Sequence, residues 1–193
     1  MYVRSPLLPV EIVLAPSWWF RHEGITFDED FFYHPARRVE AERQMENALY
    51  ERWGEFGLGE NRNEDLPIVG PVHLAAGYLI SEMLGCKVEY AQDSPPLIIP
   101  AERVNLHVDP EAAFRSEAFG RFMQLVDSLK LHFGYLLGDV NWSGLLNLAL
   151  DLQGQRLFTD MFDKPDQVLD FINKIGLIVE RFVGFVERQT GTS

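Results

Sequence analysis

A chain of 193 residues with 47% hydrophobic content is one domain by size and has ample material for a core. Its net charge of −12 and pI near 4.8 exclude a nucleic-acid or anionic-membrane surface, since either needs clustered Lys and Arg. No apolar run reaches the ~18 residues of a spanning helix, and a single cysteine, Cys86, excludes an intrachain disulfide, so the expected compartment is the cytoplasm.

The first sixteen residues carry a Glu inside a short apolar stretch and no small-residue cleavage pattern, so they do not read as a signal peptide. Within them Val10–Leu14, set between Pro9 and Pro16, reads as a short first strand. The segment Ser17–Gly24 (SWWFRHEG) then packs three aromatics beside Arg21, His22 and Glu23, and four more follow before Pro35. Loops are ordinarily polar, so a loop this aromatic is expected to be tucked beneath something or to line a pocket. Pro35 suits the first position of a helix running to about Trp53, whose alternating charges Arg37, Glu40, Arg43 and Glu46 form a solvated face.

A strand, turn and helix are expected over Asp65–Gly85: an apolar run, Leu66–Val69, meets Gly70-Pro71 and then apolar residues at helical spacing. Lys87–Tyr90 and Leu97–Ile99 are short strand-like pieces around a Pro-rich turn, an excursion rather than core strands. Asp109-Pro110-Glu111 starts a helix with a cap, a proline and an acid in the right order, and Phe119, Phe122, Met123, Val126 and Leu129 mark a buried face beyond it. Tyr135–Val140 reads as a strand, followed by a helix that Ser143 can cap. Pro165 opens a long helix whose apolar stripe is broader than one neighbour covers. Alternating strand and helix signals give the expected class, α/β with a parallel sheet.

Three stretches resemble the uroporphyrinogen decarboxylase superfamily, which includes tetrapyrrole decarboxylases and corrinoid-linked methyltransferases. They are Trp18–Gly24 (WWFRHEG), the Asp65–Gly85 unit continuing through EMLGCKVEYAQDSPP, and the run GDVNWSGLLNLALDLQGQRLFTDMFDKPDQVLDFINKI. The resemblance implies a partial, half TIM-like (β/α) barrel with parallel strands and flanking helices, a single domain over residues 1–193 lacking the C-terminal half of the barrel. Closing eight units takes ~250 residues. A half-barrel leaves strand edges and an apolar helix face bare. A covering partner is therefore expected: a second copy, a complementing barrel-half subunit, or a remainder of the chain outside this sequence.

The same resemblance implies corrinoid-linked or related one-carbon (methyl) transfer, with a corrinoid or zinc as candidate cofactors and a small-molecule or tetrapyrrole-like ligand. Arg21 then corresponds to an anion-binding residue of the family. Ile25 stands where the decarboxylases carry a second Arg, and the Pro71-Val72-His73 region stands where they carry a catalytic Asp, which argues against a tetrapyrrole decarboxylase. The alternative class is a non-catalytic binding or assembly subunit that retains the fold.

His73, at the expected strand end and helix start, is the candidate ligand, acid or base; the plainer reading is a histidine bonded to backbone. His22 is the other candidate metal ligand or proton donor. Trp18 and Trp19 are placed either against a flat ligand or in the core. Asp139 and Asn141, at a strand end, either face a cavity or serve the turn. Glu82 and Cys86 fall too far along a helix from His73 to share a metal with it, and His107 and His132 are expected to satisfy local hydrogen bonds.

Overall fold

The computed structural model describes residues 13–69, 78–103, 105–138 and 143–191. Helices make most of it: α1 (Pro16–Glu23), α2 (Glu29–Tyr33), α3 (Pro35–Trp53), α4 (Tyr78–Met83), α5 (Pro110–Ala113), α6 (Glu117–Phe133), α7 (Leu145–Gln153), α8 (Arg156–Asp163) and α9 (Pro165–Thr190). The strands are short: β1 (Ile68–Val69), β2 (Lys87–Glu89), β3 (Leu97–Ile99) and β4 (Leu137–Gly138). β1 pairs with β4 in parallel, Ile68 opposite Leu137, while β2 and β3 form a separate antiparallel hairpin.

The expected half TIM-like barrel is therefore corrected. Among the described residues the parallel ladder is one two-residue pair, and helix-on-helix packing rather than a sheet makes the core. The alternation of strand and helix signals in the sequence came from apolar segments too short for periodicity to separate strand from buried turn. The described part of the expected strand at Tyr135–Val140, residues 135–138, supplies β4, and Val13 and Leu14, the described end of the expected first strand, are not in a strand.

The central element is α9. Val168, Phe171, Ile175, Ile178, Val179, Phe182 and Val186 are buried along it, against α7, α8, α5 and β4. Fully burying one such side chain stabilises by about 1.5–3 kcal/mol. Phe122 and Phe119 of α6 stack on Phe182 and Phe185 at 5.6 and 5.4 Å between ring centroids. The broad stripe is thus covered by the chain's own helices; what stays exposed on α9 is Leu169 and Leu177.

Local chemistry accounts for the helix ends. His34 caps α3 by accepting from the Arg37 N–H, Asp109 caps α5, and Ser116 caps α6 through Phe119 N–H. Ser143 is not the cap of α7: Gly144 precedes that helix and no side chain caps it. That helix ends at Gly154, whose backbone turns the chain into α8. Residues 17–23 are a correction as well. Pro16 at the first helical position and a left-handed Gly24 at the end make them a helix, α1, instead of a loop.

Candidate functional site

The residues singled out in the sequence do not converge on one place. Trp19 is buried in the core, edge-on to Trp18 at 5.0 Å. Arg21 and His22 lie exposed in the last turn of α1, where His22 stacks on the half-buried Trp18 at 4.7 Å. Trp53 lies 5.8 Å from Trp18, and the Arg52 guanidinium sits 5.2 Å above the Trp18 ring while its Nε donates to Glu23 at 3.1 Å. Glu23 is thereby a structural partner, and Arg21 stays uncommitted in this corner. His73, Asp139 and Asn141 lie outside the described residues.

A second constellation was not singled out in the sequence. It occupies a groove between the start of α3 and the outer face of α6. One end, of about 200 Å³, is lined by Tyr33, Arg121, Gln124 and Ser128; the adjoining end, of about 290 Å³, by His34, Ala36, His132 and Phe133, with Pro35 common to both. Residues 121, 124, 128 and 132 follow each other at helical spacing on α6, and α2 leads Tyr33 and His34 onto them.

Behind the groove lies a polar core. The Tyr33 hydroxyl donates to Glu82 Oε2 at 3.1 Å, and Arg121 reaches across it, its guanidinium 4.1 Å above the Tyr33 ring, 4.0 Å from Glu82 Oε1 and bonded to Glu29. Tyr78 and Tyr90 stack edge-on at 5.8 Å beside it. Burial raises the Glu82 carboxyl above the ordinary range, against the opposing pull of the Tyr33 bond and the Arg121 charge, and burial lifts all three phenols.

The two imidazoles are set in opposite states by their backbone partners. His34 Nδ1 accepts the Arg37 N–H at 3.2 Å, so in the neutral ring the proton is on Nε2. His132 Nδ1 lies 2.7 Å from the Ser128 carbonyl oxygen, which only accepts, so Nδ1 carries the proton and Nε2 is a free acceptor. One end of the groove therefore presents one ring nitrogen that donates and one that accepts. His132 does make the local bond expected of it, yet that bond also fixes its outward nitrogen. No signal along the chain pairs the two histidines, because ninety-odd residues separate them and only the α3–α6 packing unites them.

Cys86 is buried, its Sγ 3.4 Å from the Asp151 carbonyl oxygen, and burial with the nearby Asp151 charge pushes the thiol up to about 11. Among the described residues no three His, Cys, Asp or Glu side chains gather as a metal ion requires, so zinc finds no ligand set there. Among them, too, no helix is long and apolar enough to cross a membrane. Comparison with protein-family models, with curated proteins and with solved structures finds no match to this chain.

Proposed function

We propose that this chain, acting in the cytoplasm, binds a small carboxylate-bearing molecule in the groove between α3 and α6 and serves corrinoid-linked or related one-carbon transfer. The observation that carries the reading is the pair of imidazoles at one end of the groove, one offering an N–H as hydrogen-bond donor and the other a bare ring nitrogen that can accept a hydrogen bond or a proton. Arg121 supports it. Its ion pair with Glu29 is solvent-exposed, worth ~0–1 kcal/mol, so an incoming carboxylate displaces Glu29 at little cost. Glu82 stays bonded to Tyr33 behind it and keeps the guanidinium in place. The three motif stretches that resemble the uroporphyrinogen decarboxylase superfamily support the one-carbon part, as a likeness of motif and not of barrel. A corrinoid, when bound, supplies the methyl carrier; the half-buried Trp53 and the exposed Arg21 of α1 have the right chemistry for a flat, carboxylate-bearing ring.

Two measurements test this. Acetate added to the chain is expected to shift the imidazole C–H proton signals of His34 and His132 by NMR, and the shift is expected to vanish in Arg121→Gln; unmoved imidazoles would sink the groove assignment. Adding cob(II)alamin is expected to change its visible spectrum. A spectrum equal to the sum of the separate components would sink the corrinoid part and leave the groove standing.

A second reading, a non-catalytic binding or assembly subunit, has its own observation. Phe158 and Phe162 on α8 are 49% and 87% exposed and lie close in sequence to Leu169 of α9, 60% exposed. Side chains of this size so bare suit a second copy or a complementing subunit. Sedimentation velocity is expected to show a faster species that Phe162→Ser abolishes; a monomer at every concentration removes this reading.

A further inference from the structure

A second, chemically distinct cleft lies where the loop after β3 meets the junction of α7 and α8. It has a volume of about 530 Å³ and is lined by Glu102, Arg103, Gln153, Gly154, Gln155 and Arg156. The loop is pinned to the end of α7 by two backbone bonds, Ala101 N–H to the Asp151 carbonyl at 2.7 Å and Arg103 N–H to the Leu152 carbonyl at 2.8 Å. Glu102, caught between them, is held at φ +46°, a left-handed conformation that costs a residue with a Cβ of this kind and persists only where the surroundings impose it. That twist lays its side chain toward Gly154, where an added Cβ would stand 3.7 Å from Glu102 Cγ.

Gln153 supplies an independent observation. It is 2% exposed, its Nε2 donates to the Asn105 carbonyl at 2.7 Å, and its Oε1 is buried with no hydrogen-bond partner. The Nε2 bond fixes the orientation of the amide, so the orphan atom is an acceptor and calls for a donor. Next to it α8 begins at Arg156 with no side-chain cap; the Leu157 and Phe158 N–H groups are taken by the Gly154 and Gln155 carbonyls at 3.2 Å, which leaves the Gln155 and Arg156 N–H groups as the donors at this helix start. Acceptors (Glu102, Gln153 Oε1) and donors therefore line one cleft, the donors being the α8 start, the half-exposed Arg156, whose Nε also lies 3.4 Å from Asp160 Oδ2, and Arg103, whose guanidinium also bonds the Leu84 and His107 carbonyls. A simple anion would leave the acceptors unpaired and meet the Glu102 charge; a simple cation would leave the donors unpaired and meet the arginines.

We propose that this cleft binds a small zwitterion carrying an ammonium and a carboxylate on neighbouring atoms, a free α-amino acid. The ammonium goes to Glu102 and Gln153 Oε1, and the carboxylate to the N-terminus of α8 and Arg156. The strained Glu102 backbone is then the cost of aiming its carboxylate at the ligand.

The test is an NMR titration of the isotope-labelled full chain with L-serine, with acetate and ethanolamine, the two halves of the zwitterion, as comparison probes. L-serine is expected to move the Gln155 and Arg156 backbone amides and the Gln153 side-chain amide, and each half alone to bind at least about tenfold more weakly, the fold-change of one charged hydrogen bond. Glu102→Gly is expected to raise the melting temperature by relieving φ and yet to weaken L-serine binding about tenfold. Its folding is not at risk, so the variant stays informative. No response to L-serine, equal binding of acetate or of ethanolamine, or a Glu102→Gly variant that binds L-serine as well as the parent chain would each overturn the proposal.

Discussion

Asp151 shows how a single side chain sets a measurable property of the whole protein. Its Oδ2 accepts the Ser81 hydroxyl at 2.7 Å, but burial outweighs that bond and lifts the carboxyl above its ordinary value of 3.8. The folded chain then holds the Asp151 proton more tightly than the unfolded chain does. The stability it contributes is complete below the ordinary aspartate range and is lost as pH rises through the raised folded value. Glu82 and Glu46, also raised by burial, act in the same direction. Asp151→Asn keeps an acceptor for Ser81 and removes the titration, so urea midpoints taken over about pH 4 to 7 are expected to fall less steeply in the variant. Parallel curves would contradict this. At the scale of residues the sequence was read correctly where a role is local: Asp109 as a cap and His132 as the maker of a local hydrogen bond. It was silent where a role is made by packing. The Tyr33–Glu82 bond, the His34–His132 pair and the orphan Gln153 oxygen all join residues about fifty or more positions apart, or expose a lack that only three dimensions create.

At the scale of elements the connection after α3 is the most exacting. A 3₁₀ turn, Gly54–Phe56, folds the chain back on the helix, where Asn61 N–H donates to Glu46 Oε2 at 3.2 Å and the Arg62 guanidinium lies 3.4 Å above the Tyr50 ring. Gly59 sits between at φ +71°, and a Cβ there would fall 2.3 Å from the Glu46 carbonyl oxygen and 2.4 Å from Tyr50 N, both backbone atoms that cannot step aside. Gly57 has a similar φ, +85°, but a Cβ there would meet only the Glu60 Oε1 at 3.5 Å, an ordinary van der Waals contact. Chemical denaturation is therefore expected to show Gly59→Ala losing more than about 2 kcal/mol and Gly57→Ala about 1, the second value being the conformational cost alone. Equal losses would mean that the backbone contact does not matter. The long periodic elements were legible: α3 and α9 begin at the prolines that announce them, and β2 and β3 stand as an excursion away from the parallel pair. α1 was not legible, because its aromatics at 18 and 19 are adjacent rather than spaced and show no helical face. The barrel expectation failed for a related reason. Ile68 and Val69 are β-branched and flanked by turn residues, yet they make one short ladder whose neighbours are helices.

For the molecule as a whole, a net charge of −12 is spread over a chain whose ion pairs are mostly at the surface, the pairs of Arg38 with Glu42 and of Asp160 with Arg156 and Lys164 apart. Like charges repel more in the compact state than in the unfolded one, so moderate sodium chloride is expected to raise the melting temperature before any specific ion effect enters. A fall on adding salt would mean that the attractive pairs dominate. Burial of the α9 stripe by the chain's own helices sets the molecular architecture, and that was half legible: the breadth of the stripe was plain, its cover was not. The two-residue clasp of β1 and β4 carries a further consequence. Ile68 and Leu137 are joined across about seventy residues of intervening chain, a loop whose closure entropy two ladder bonds cannot offset by themselves. What holds the clasp shut is the far end of α9, pressed so closely on Gly138 that a Cβ there would stand 2.7 Å from Thr190 and 2.9 Å from Val186. Chain order then becomes a timetable for the ribosome: β1 emerges about seventy residues before β4, and the two lock only once residues 186–190 have been made.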